Sequence, residues 1–320
     1  MKGKYRILVQ NNRLHYEIEV KRNITIIQGD SATGKTTLID MLRQYFNLGE
    51  SSGIDVVCDV PCRTLEGRDW KSILKDLTGN ILFIDEENHF INTEEFAVAV
   101  KGSDNYFVLI TRENLYNLPY SVEEIYGLRS SGKYQNTRKV YQQTYQIYSE
   151  VQQLPVKPNK ILLEDSNSGY AFFKAVSEAT GRECQSAEGK SNLLKKLKDT
   201  ESEEVCVIAD GAAIGPEMNG LYQKMQKNPN IKLYLPESFE WIILNAGILE
   251  EKEIQEILQN PEVYIDSKEY FSWERYFTKL LIEKTEGTYL QYKKATLNET
   301  YLHRKNKQKI LQSMKGIDFS

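Results

Sequence analysis

Short apolar runs, each followed by polar residues or glycine, recur along the first half of the chain. Residues 14–20 (LHYEIEV) alternate apolar and polar positions, which is typical of a strand with one buried face. The runs within residues 24–27, 81–84 and 105–112 are continuous and apolar, as in strands that are buried on both faces of a parallel sheet. Helical spacing begins at residue 35. The pattern therefore predicts an α/β fold.

An antiparallel hairpin is predicted before the first buried strand. Residues 5–9 and 14–20 flank the pair Asn11-Asn12, which favours a tight turn. Further strands of this first domain are expected at residues 53–60 and 122–128.

A second α/β unit is predicted after residues 152–159 (QQLPVKPN), where two prolines interrupt the helical periodicity. Its strands are expected at residues 160–165, 184–187, 205–210 and 231–235, and its helices include residues 168–180 and 193–198. Later apolar positions follow helical spacing, with helices expected at residues 250–258, 270–284 and 289–314. The predicted domains are therefore residues 1–152, 160–248 and 249–320, the last of them helical.

Composition limits the class of protein. At 320 residues, with 40% hydrophobic and 27% charged residues, the chain is long enough for two soluble domains with separate cores. Four cysteines, no signal peptide and no apolar run of spanning length predict a cytoplasmic protein with no membrane partner. A net charge of −4 does not favour nonspecific binding of nucleic acid by the whole molecule.

Two local features leave alternatives open. The pair Cys58-x-x-x-Cys62 is either a metal-binding pair or two plain thiols, and the presence of only three histidines favours thiols. Basic stretches at residues 195–198 and 304–309 are either solvated helix faces or a surface that binds phosphate groups.

The segment GDSATGKT at residues 29–36 matches the pattern G-x-x-x-x-G-K-[ST] between a predicted strand and a predicted helix. Gly29 and Gly34 allow backbone amides to converge on phosphate groups, and the new helix adds its free amides. Lys35 would reach the β- and γ-phosphates, and the hydroxyl of Thr36 would ligate Mg²⁺. The alternative is an ordinary turn that contains glycine. The residues expected to hold the nucleotide are Gly29, Asp30, Ser31, Ala32, Thr33, Gly34, Lys35, Thr36 and Thr37.

Polar side chains follow the next two buried runs. Asp85 would complete the Mg²⁺ shell, and Glu86 would orient or activate the attacking water. Thr111 ends the following strand, where it would sense the γ-phosphate or the attacking water. Arg112 would face the phosphates, cap a helix or form an ion pair. We expect the strand that carries Asp85 to lie beside the phosphate-loop strand; the alternative is a solvated acidic turn.

These motifs resemble the additional-strand, catalytic-glutamate division of phosphate-loop NTPases, which includes the AAA, RecA-like and ABC ATPases. The leading hairpin is similar to the start of ABC-type ATPases of the SMC and OLD kind. The chain departs from that pattern because no LSGGQ-like signature lies between the two motifs, and residues 130–133 (SSGK) follow both. No N-K-x-D guanine-reading motif follows the last predicted strand, so the resemblance implies ATP as the nucleotide.

The second unit resembles the Toprim domain of topoisomerases, primases and OLD-family nucleases. On that resemblance Glu164 maps to the general acid or base and Asp210 to a metal-binding aspartate, while residues 189–192 (GKSN) form the turn before the second helix. Ala212 stands where the family has a second aspartate. The resemblance implies Mg²⁺ at Glu164 and Asp210, with Asp165 nearby. The alternatives are a degenerate fold that is kept for binding or structure, and acids that merely end two strands.

The sequence as a whole predicts an ATPase whose nucleotide state is coupled to the Toprim-like module. The resemblance implies a role in anti-phage defence or in mobile elements, with nucleic acid or a protein partner bound through the C-terminal half. The sequence does not decide between a monomer and an oligomer. The alternatives are a nucleotide-gated binding or scaffold protein and a phosphotransferase, although no lid with paired arginines is evident in the sequence.

Overall fold

The computed structural model describes residues 1–29, 34–131, 138–149, 156–199 and 204–319. These residues divide into two compact units. Unit 1 comprises Met1–Ile147 and Asn260–Ser272, and unit 2 comprises Tyr148–Gln259 and Trp273–Ser320. The helical region predicted at residues 249–320 is therefore shared between the two units. The predicted boundary at residues 152–159 lies in part outside the described residues.

Unit 1 contains, among the residues that the structure describes, one nine-stranded mixed sheet. Its strands are β1 (Tyr5–Gln10), β2 (Leu14–Val20), β3 (Ile24–Ile27), β4 (Asp55–Val57), β5 (Cys62–Thr64), β6 (Ile81–Asp85), β7 (Tyr106–Ile110), β8 (Ile125–Ser130) and β9 (Val140–Gln146). The helices of this unit are α1 (Lys35–Leu48), α2 (Trp70–Lys75), α3 (Glu94–Lys101) and, later in the chain, Pro261–Tyr264.

The strand order is β4-β1-β2-β9-β8-β3-β7-β6-β5. The five strands from β8 to β5 are parallel to one another. The hairpin β1-β2 is antiparallel, with β4 antiparallel to β1. Strand β9 joins the two parts, because it is parallel to β2 and antiparallel to β8. The α/β class with a largely parallel sheet is confirmed.

The nine-stranded sheet curves around α1. Strands β4 and β5 lie on opposite edges of the sheet, yet residues 58–61 alone join them. A link of that length reaches at most about 18 Å, since each residue adds about 3.6 Å. Nine strands laid flat would place the edges about 38 Å apart at a spacing of about 4.8 Å. Buried side chains of α1 share one core with those of the hairpin and of the parallel strands.

Two predictions for unit 1 hold only in part, and two strands were not predicted. Of the strand predicted at residues 53–60, only Asp55–Val57 is a strand, β4, and the unpredicted β5 follows it at the opposite edge of the sheet. The strand predicted at residues 122–128 begins with a 3-10 turn at Val122–Glu124. Strand β9 was not predicted, because its sequence VYQQTYQ is mostly polar and has no fully buried position.

Unit 2 contains a four-stranded parallel sheet within its described residues, in the order β11-β10-β12-β13. The strands are β10 (Lys160–Leu163), β11 (Glu183–Ser186), β12 (Val205–Ile208) and β13 (Ile231–Tyr234). The helices are α4 (Ser168–Ala179), α5 (Leu193–Lys196), α6 (Met218–Lys227), α7 (Phe239–Asn245), α8 (Lys252–Gln259), α10 (Trp273–Thr285) and α11 (Arg304–Ser313), with Pro261–Tyr264 of unit 1 counted as α9.

The long helix predicted at residues 289–314 is wrong. The helical part is limited to a 3-10 turn at Glu299–Leu302 and to α11. Asn298 lies directly before this 3-10 turn, and its side chain accepts a hydrogen bond from the amide of Thr300. Tyr301 is fully buried at this turn. Asn298 and Tyr301 were not predicted to interrupt the helix, because the surrounding residues are polar and follow an apparently helical pattern.

None of the helices within the described residues is both long enough and apolar enough to cross a membrane.

Candidate functional site

The carboxyl end of β3 leads directly to the start of α1. All four residues of β3 are buried, and the amide of Gln28 still donates to the carbonyl of Tyr126, at 2.7 Å. Gly29 then has a φ of 136°, and Gly34 has a φ of 88° immediately before α1. The predicted loop residues Asp30, Ser31, Ala32 and Thr33 lie outside the described part of the chain.

Gly34 occupies a position that only glycine fits. Its φ lies in the left-handed region, which side chains with a Cβ rarely adopt. A Cβ at this position would also lie 2.8 Å from the hydroxyl oxygen of Tyr16. That hydroxyl donates to the carbonyl of Gly34 at 3.0 Å, so β2 supports the turn directly.

The start of α1 is the point at which the sequence predicts phosphate binding. Within the described residues, no side chain caps α1 at Gly34, and its first turn carries no acidic residue. The first helical hydrogen bond runs from the amide of Leu38 to the carbonyl of Gly34, at 3.0 Å. A helix start presents backbone amides and the positive end of the helix dipole. The geometry is therefore suited to phosphate groups.

The side chain of Lys35 turns back toward Gly29. It is buried, and Nζ donates to the carbonyl of Gly29. Thr36 and Thr37 are exposed on the first turn of α1. Burial raises the pKa of Tyr16, whose hydrogen bond with Thr37 opposes that rise. The structure thus places the ammonium of Lys35 against the carbonyl of Gly29; the roles of these residues in nucleotide binding stay predictions.

Asp85 is two strands away from the phosphate-loop strand. Ile27 of β3 pairs with Ile110 of β7, which pairs in turn with Asp85 of β6. The separation is about 10 Å for two strand spacings. The expectation that the acid-tipped strand lies beside β3 is wrong, because β7 is inserted between them. The three strand ends are nevertheless level with one another.

The carboxylate of Asp85 is 7% exposed and accepts a hydrogen bond from the amide of Glu86, at 2.7 Å. Burial raises its pKa, and the charges of Glu87 and Glu86 add to that effect. The guanidinium of Arg43 opposes the rise. A cation at the end of β6 would stabilise the charged form of Asp85.

Glu86 and Thr111 already have local partners. Arg112 Nε lies 3.2 Å from Glu86 Oε1, so the ion-pair alternative for Arg112 is the one that the structure contains. The hydroxyl of Thr111 accepts a hydrogen bond from the amide of Glu113, at 3.0 Å, and the residue is buried. The amide of Thr111 donates to the carbonyl of Ile27. Thr111 therefore lies directly after β7, between the carboxyl ends of β3 and β6.

Cys58 and Cys62 form a thiol pair. A hydrogen bond from the thiol of Cys62 lowers the pKa of Cys58 to about 7. Both side chains are half-buried.

Unit 2 brings Glu164 and Asp210 together at adjacent strand ends. Leu163 of β10 pairs with Ile208 of β12, and the amide of Asp210 donates to Glu164 Oε2 at 3.0 Å. The carbonyl of Glu164 accepts a hydrogen bond from the amide of Gly189, at 2.7 Å. The turn at residues 189–192 therefore lies beside the carboxyl end of β10. A cavity of about 20 Å³ lies against Glu164, Asp165 and Asp210.

Burial determines the charge of these acids. It raises the pKa of Glu164 to about 7, while the amide of Asp210 opposes the rise. Burial also raises the pKa of Asp210 well above its ordinary value, and the charges of Glu274, Glu164 and Glu240 add to that effect. The pKa of Asp165 is raised by burial too.

Two places are predicted to hold Mg²⁺. In the described ranges, no group of three or more histidine, cysteine, aspartate or glutamate residues is arranged to hold a metal ion. A nucleotide-bound Mg²⁺ needs one or two protein oxygens besides its phosphates and waters, and Thr36 and Asp85 are the residues that would supply them. In unit 2, Glu164, Asp165 and Asp210 lie against one cavity, and Ala212 stands where the Toprim pattern has a further acid. Mg²⁺ at either place stays a prediction.

Several residues of these sites could not be found from sequence patterns. Tyr16 supports the phosphate loop from the hairpin, and Arg43 acts on Asp85 from α1. Lys294 and Glu274 of unit 2 form an ion pair close to Asp210 but are distant from it in sequence. None of them belongs to a short motif. Strand pairing and helix packing alone bring them to the sites.

Comparison of the chain with models of protein families, with curated proteins and with solved structures finds no match.

Proposed function

We propose that unit 1 binds ATP together with Mg²⁺ at the start of α1 and hydrolyses the nucleotide. The observation that carries the proposal is the uncapped start of α1 after Gly34, a position where a Cβ would collide with Tyr16. Lys35 adds a buried ammonium at the same point. This combination supplies backbone amides, a helix dipole and a positive charge for phosphate groups.

The strand order supports the same proposal. The parallel strands run β8-β3-β7-β6-β5, so that one strand separates the phosphate-loop strand from the acid-tipped strand. An inserted strand is also the feature that names the additional-strand division which the sequence resembles. In such sheets, ligands bind at the carboxyl ends of the strands.

Each residue has a distinct proposed role. Lys35 would exchange its bond to the carbonyl of Gly29 for the β- and γ-phosphates. Thr36 and Asp85 would hold Mg²⁺, which supplies neutralisation of the phosphate charge when it is bound. Thr111, between the two strand ends, would contact the γ-phosphate or the attacking water. Adenine as the base rests on the absence of a guanine-reading motif from the sequence.

Glu86 is the proposed group that orients the attacking water. Its Oε1 is 3.2 Å from Nε of Arg112, an ion pair that would compete with an attacking water for this carboxylate. The pair favours a second candidate function, in which ATP is bound but Glu86 stays with Arg112 and no hydrolysis follows. Such a protein would be a nucleotide-gated binding or scaffold module. A phosphotransferase is a third candidate, based on the phosphate-loop pattern alone.

The wider role is proposed from resemblance. In this proposal the nucleotide state of unit 1 is coupled to unit 2, and the protein acts in anti-phage defence or in mobile-element biology. Nucleic acid or a protein partner would bind through the C-terminal half. Hydrolysis would release segments that the γ-phosphate and Mg²⁺ had ordered.

Turnover of ATP distinguishes hydrolysis from binding alone. We expect Glu86→Gln to bind ATP with native affinity and to hydrolyse it about 100-fold more slowly, since it loses the group that orients water. Arg112→Gln is expected to keep or raise turnover, because it frees Glu86. Glu87→Gln changes the exposed neighbouring carboxylate and is the matched control, with native turnover expected.

The outcomes separate the candidates. Native protein that binds ATP without turnover, together with turnover in Arg112→Gln, would favour the binding module. Equal turnover in the native protein and Glu86→Gln would contradict the role of Glu86.

A further inference from the structure

Tyr16 is a core residue whose polar end contacts the candidate nucleotide site. Its side chain lies on the buried face of β2 with Ile18 and Val20, and it is 1% exposed. These three side chains belong to the core that β2 shares with α1. A buried tyrosine hydroxyl needs a hydrogen-bond partner. The hydroxyl of Tyr16 has one at the start of α1, where it donates to the carbonyl of Gly34 at 3.0 Å.

The backbone of Tyr16 is held from both sides. Its register partner in the antiparallel strand β1 is Val9, and its register partner in the parallel strand β9 is Gln142. Tyr16 therefore belongs to the sheet and not to a loop. Because the ring is also enclosed by a closely packed core, the side chain has little freedom to move. Its hydroxyl is thus a fixed donor for the start of α1.

Two donors hold the carbonyl of Gly34. One is the amide of Leu38, at 3.0 Å, which makes the first helical hydrogen bond of α1, and the other is the hydroxyl of Tyr16. The peptide unit between Gly34 and Lys35 is planar, and its carbonyl and amide point in opposite directions. A carbonyl directed into the helix therefore directs the amide of Lys35 out of the helix start, where phosphate groups are proposed to bind.

The hydroxyl also determines how much space there is at residue 34. A Cβ on Gly34 would lie 2.8 Å from the hydroxyl oxygen of Tyr16, but 3.6 and 3.7 Å from the two nearest carbons of its ring. The first distance is too short for a real contact, whereas the other two are ordinary. Exchange of Tyr16 for phenylalanine would therefore remove both the hydrogen bond and the obstacle.

We propose that Tyr16 is a positioning residue for the nucleotide, because its hydroxyl holds the peptide unit between Gly34 and Lys35 in the orientation that phosphate binding requires. The leading hairpin is then a working part of the site. This inference rests on the proposed binding of ATP at the start of α1. Without the hydroxyl, the carbonyl of Gly34 keeps only its bond from Leu38. Phosphate binding must then order the peptide unit, which lowers the affinity.

The variant Tyr16→Phe removes the hydroxyl and keeps the ring. We expect its affinity for Mg²⁺-ATP to be about fivefold lower than that of the native protein, as for the loss of one hydrogen bond. The affinity for Mg²⁺-tripolyphosphate should fall by the same factor, because the hydroxyl acts on the amides that contact phosphates and not on the base. Isothermal titration calorimetry of the full-length proteins measures both affinities.

The matched control is Tyr106→Phe. Tyr106 is also 1% exposed, and its hydroxyl also donates to the carbonyl of a glycine, Gly3, at 3.1 Å. It is the first residue of β7, so it lies at the end of the strand opposite to Thr111. Both variants are expected to lower the melting temperature by about 3 °C. Only Tyr16→Phe is expected to bind ATP more weakly, which distinguishes a positioning role from a contribution to stability alone.

A double-mutant cycle with Gly34→Ala tests the contact itself. In the native background, Gly34→Ala should weaken ATP binding at least about tenfold, because its Cβ would meet the hydroxyl of Tyr16. In the Tyr16→Phe background, the same substitution should weaken binding only about threefold, since the left-handed backbone remains but the obstacle is gone. An equal effect in the two backgrounds would contradict the proposed contact.

A second pair of variants preserves the test if Tyr16→Phe does not fold. Tyr16 is replaced by para-aminophenylalanine or by para-fluorophenylalanine, which are similar in size. Only the amino group can donate a hydrogen bond to the carbonyl of Gly34. We expect native affinity for ATP with the amino group and about fivefold lower affinity with fluorine.

Several results would overturn the inference while ATP binding by unit 1 stays intact. They are native affinity for ATP in Tyr16→Phe or in the fluorinated protein, an equal loss of affinity in Tyr106→Phe, and a loss for ATP that tripolyphosphate does not share. Native protein that binds neither ATP nor tripolyphosphate would contradict the proposed function, and this inference with it.

Discussion

Gly34 is the residue on which the candidate nucleotide site most clearly depends. Its left-handed backbone and the hydroxyl of Tyr16 both exclude a side chain. We predict that Gly34→Ala lowers the free energy of unfolding by about 1–2 kcal/mol, the usual cost of left-handed backbone at a residue with a Cβ. The same variant should bind ATP at least about tenfold more weakly, because the turn that directs the amides is displaced.

Gly102→Ala is the matched control for this prediction. Gly102 ends α3 with a negative φ, and a Cβ there would meet no atom within 4 Å. Chemical denaturation and ATP titration of both variants provide the measurement. Native affinity and stability in Gly34→Ala would contradict the assigned role of this turn.

Glu124 gives unit 1 a pH-dependent stability. This carboxyl group is fully buried, and burial raises its pKa from 4.5 to about 7, although Arg22 and Lys21 oppose the rise. The folded state therefore binds a proton that the unfolded state has lost between about pH 4.5 and 7. Stability must fall as the pH rises through that window.

The variant Glu124→Gln carries no titrating group at this position. We predict that the stability of native protein relative to Glu124→Gln decreases from pH 4.5 to pH 7 by up to about 3 kcal/mol. Urea denaturation at several pH values measures the difference. A constant difference across the window would be inconsistent with the raised pKa.

At the level of elements, α1 is the helix around which the sheet of unit 1 closes. Leu42 is 1% exposed and belongs to the core that α1 shares with the hairpin and the parallel strands. We predict that Leu42→Ala lowers the free energy of unfolding by about 2–5 kcal/mol, as for other buried leucines. Leu48 is 59% exposed on the same helix, so Leu48→Ala should change it by less than about 0.5 kcal/mol. Similar losses for the two variants, measured by urea denaturation, would argue against this packing.

The elements that the sequence predicted best are those with a strong apolar pattern. Strand β2 has the predicted bounds, and β3, β6 and β7 match continuous apolar runs. Strand β9 and the edge strand β5 were not predicted, because short or polar strands depend on their partners rather than on their own composition. The position of β7 between β3 and β6 likewise depends on pairing between strands that are far apart in the sequence.

The residues of the candidate sites were likewise predicted where they belong to a local sequence motif, and missed where they do not. Gly29, Gly34, Lys35 and Asp85 belong to motifs that are local in sequence, and they lie after β3, at the start of α1 and at the end of β6. Lys294 acts on Asp210 from a segment 84 residues later in the chain, by the difference of the two numbers. No local spacing links the two. The ion pair of Glu86 with Arg112 was one of three alternatives for the arginine, and only side-chain geometry distinguishes them.

For the molecule as a whole, the account predicts communication between the two units. ATP with Mg²⁺ should slow hydrogen exchange of the amides around residues 29–36, where the nucleotide is proposed to bind. If the nucleotide state is coupled to unit 2 as proposed, hydrogen exchange should also slow in parts of unit 2. Lys35→Ala should abolish both changes at the same ATP concentration. Protection confined to unit 1 would contradict the coupling while leaving nucleotide binding intact.

The most direct test of the central claim is nucleotide affinity, measured by isothermal titration calorimetry with Mg²⁺-ATP and with AMP. The account predicts one ATP per chain, weak or undetectable binding of AMP, and an affinity for ATP that falls at least about tenfold in Lys35→Ala, because phosphate contacts at the start of α1 supply the binding energy. Absence of ATP binding by native protein, or equal affinity in Lys35→Ala, would contradict it.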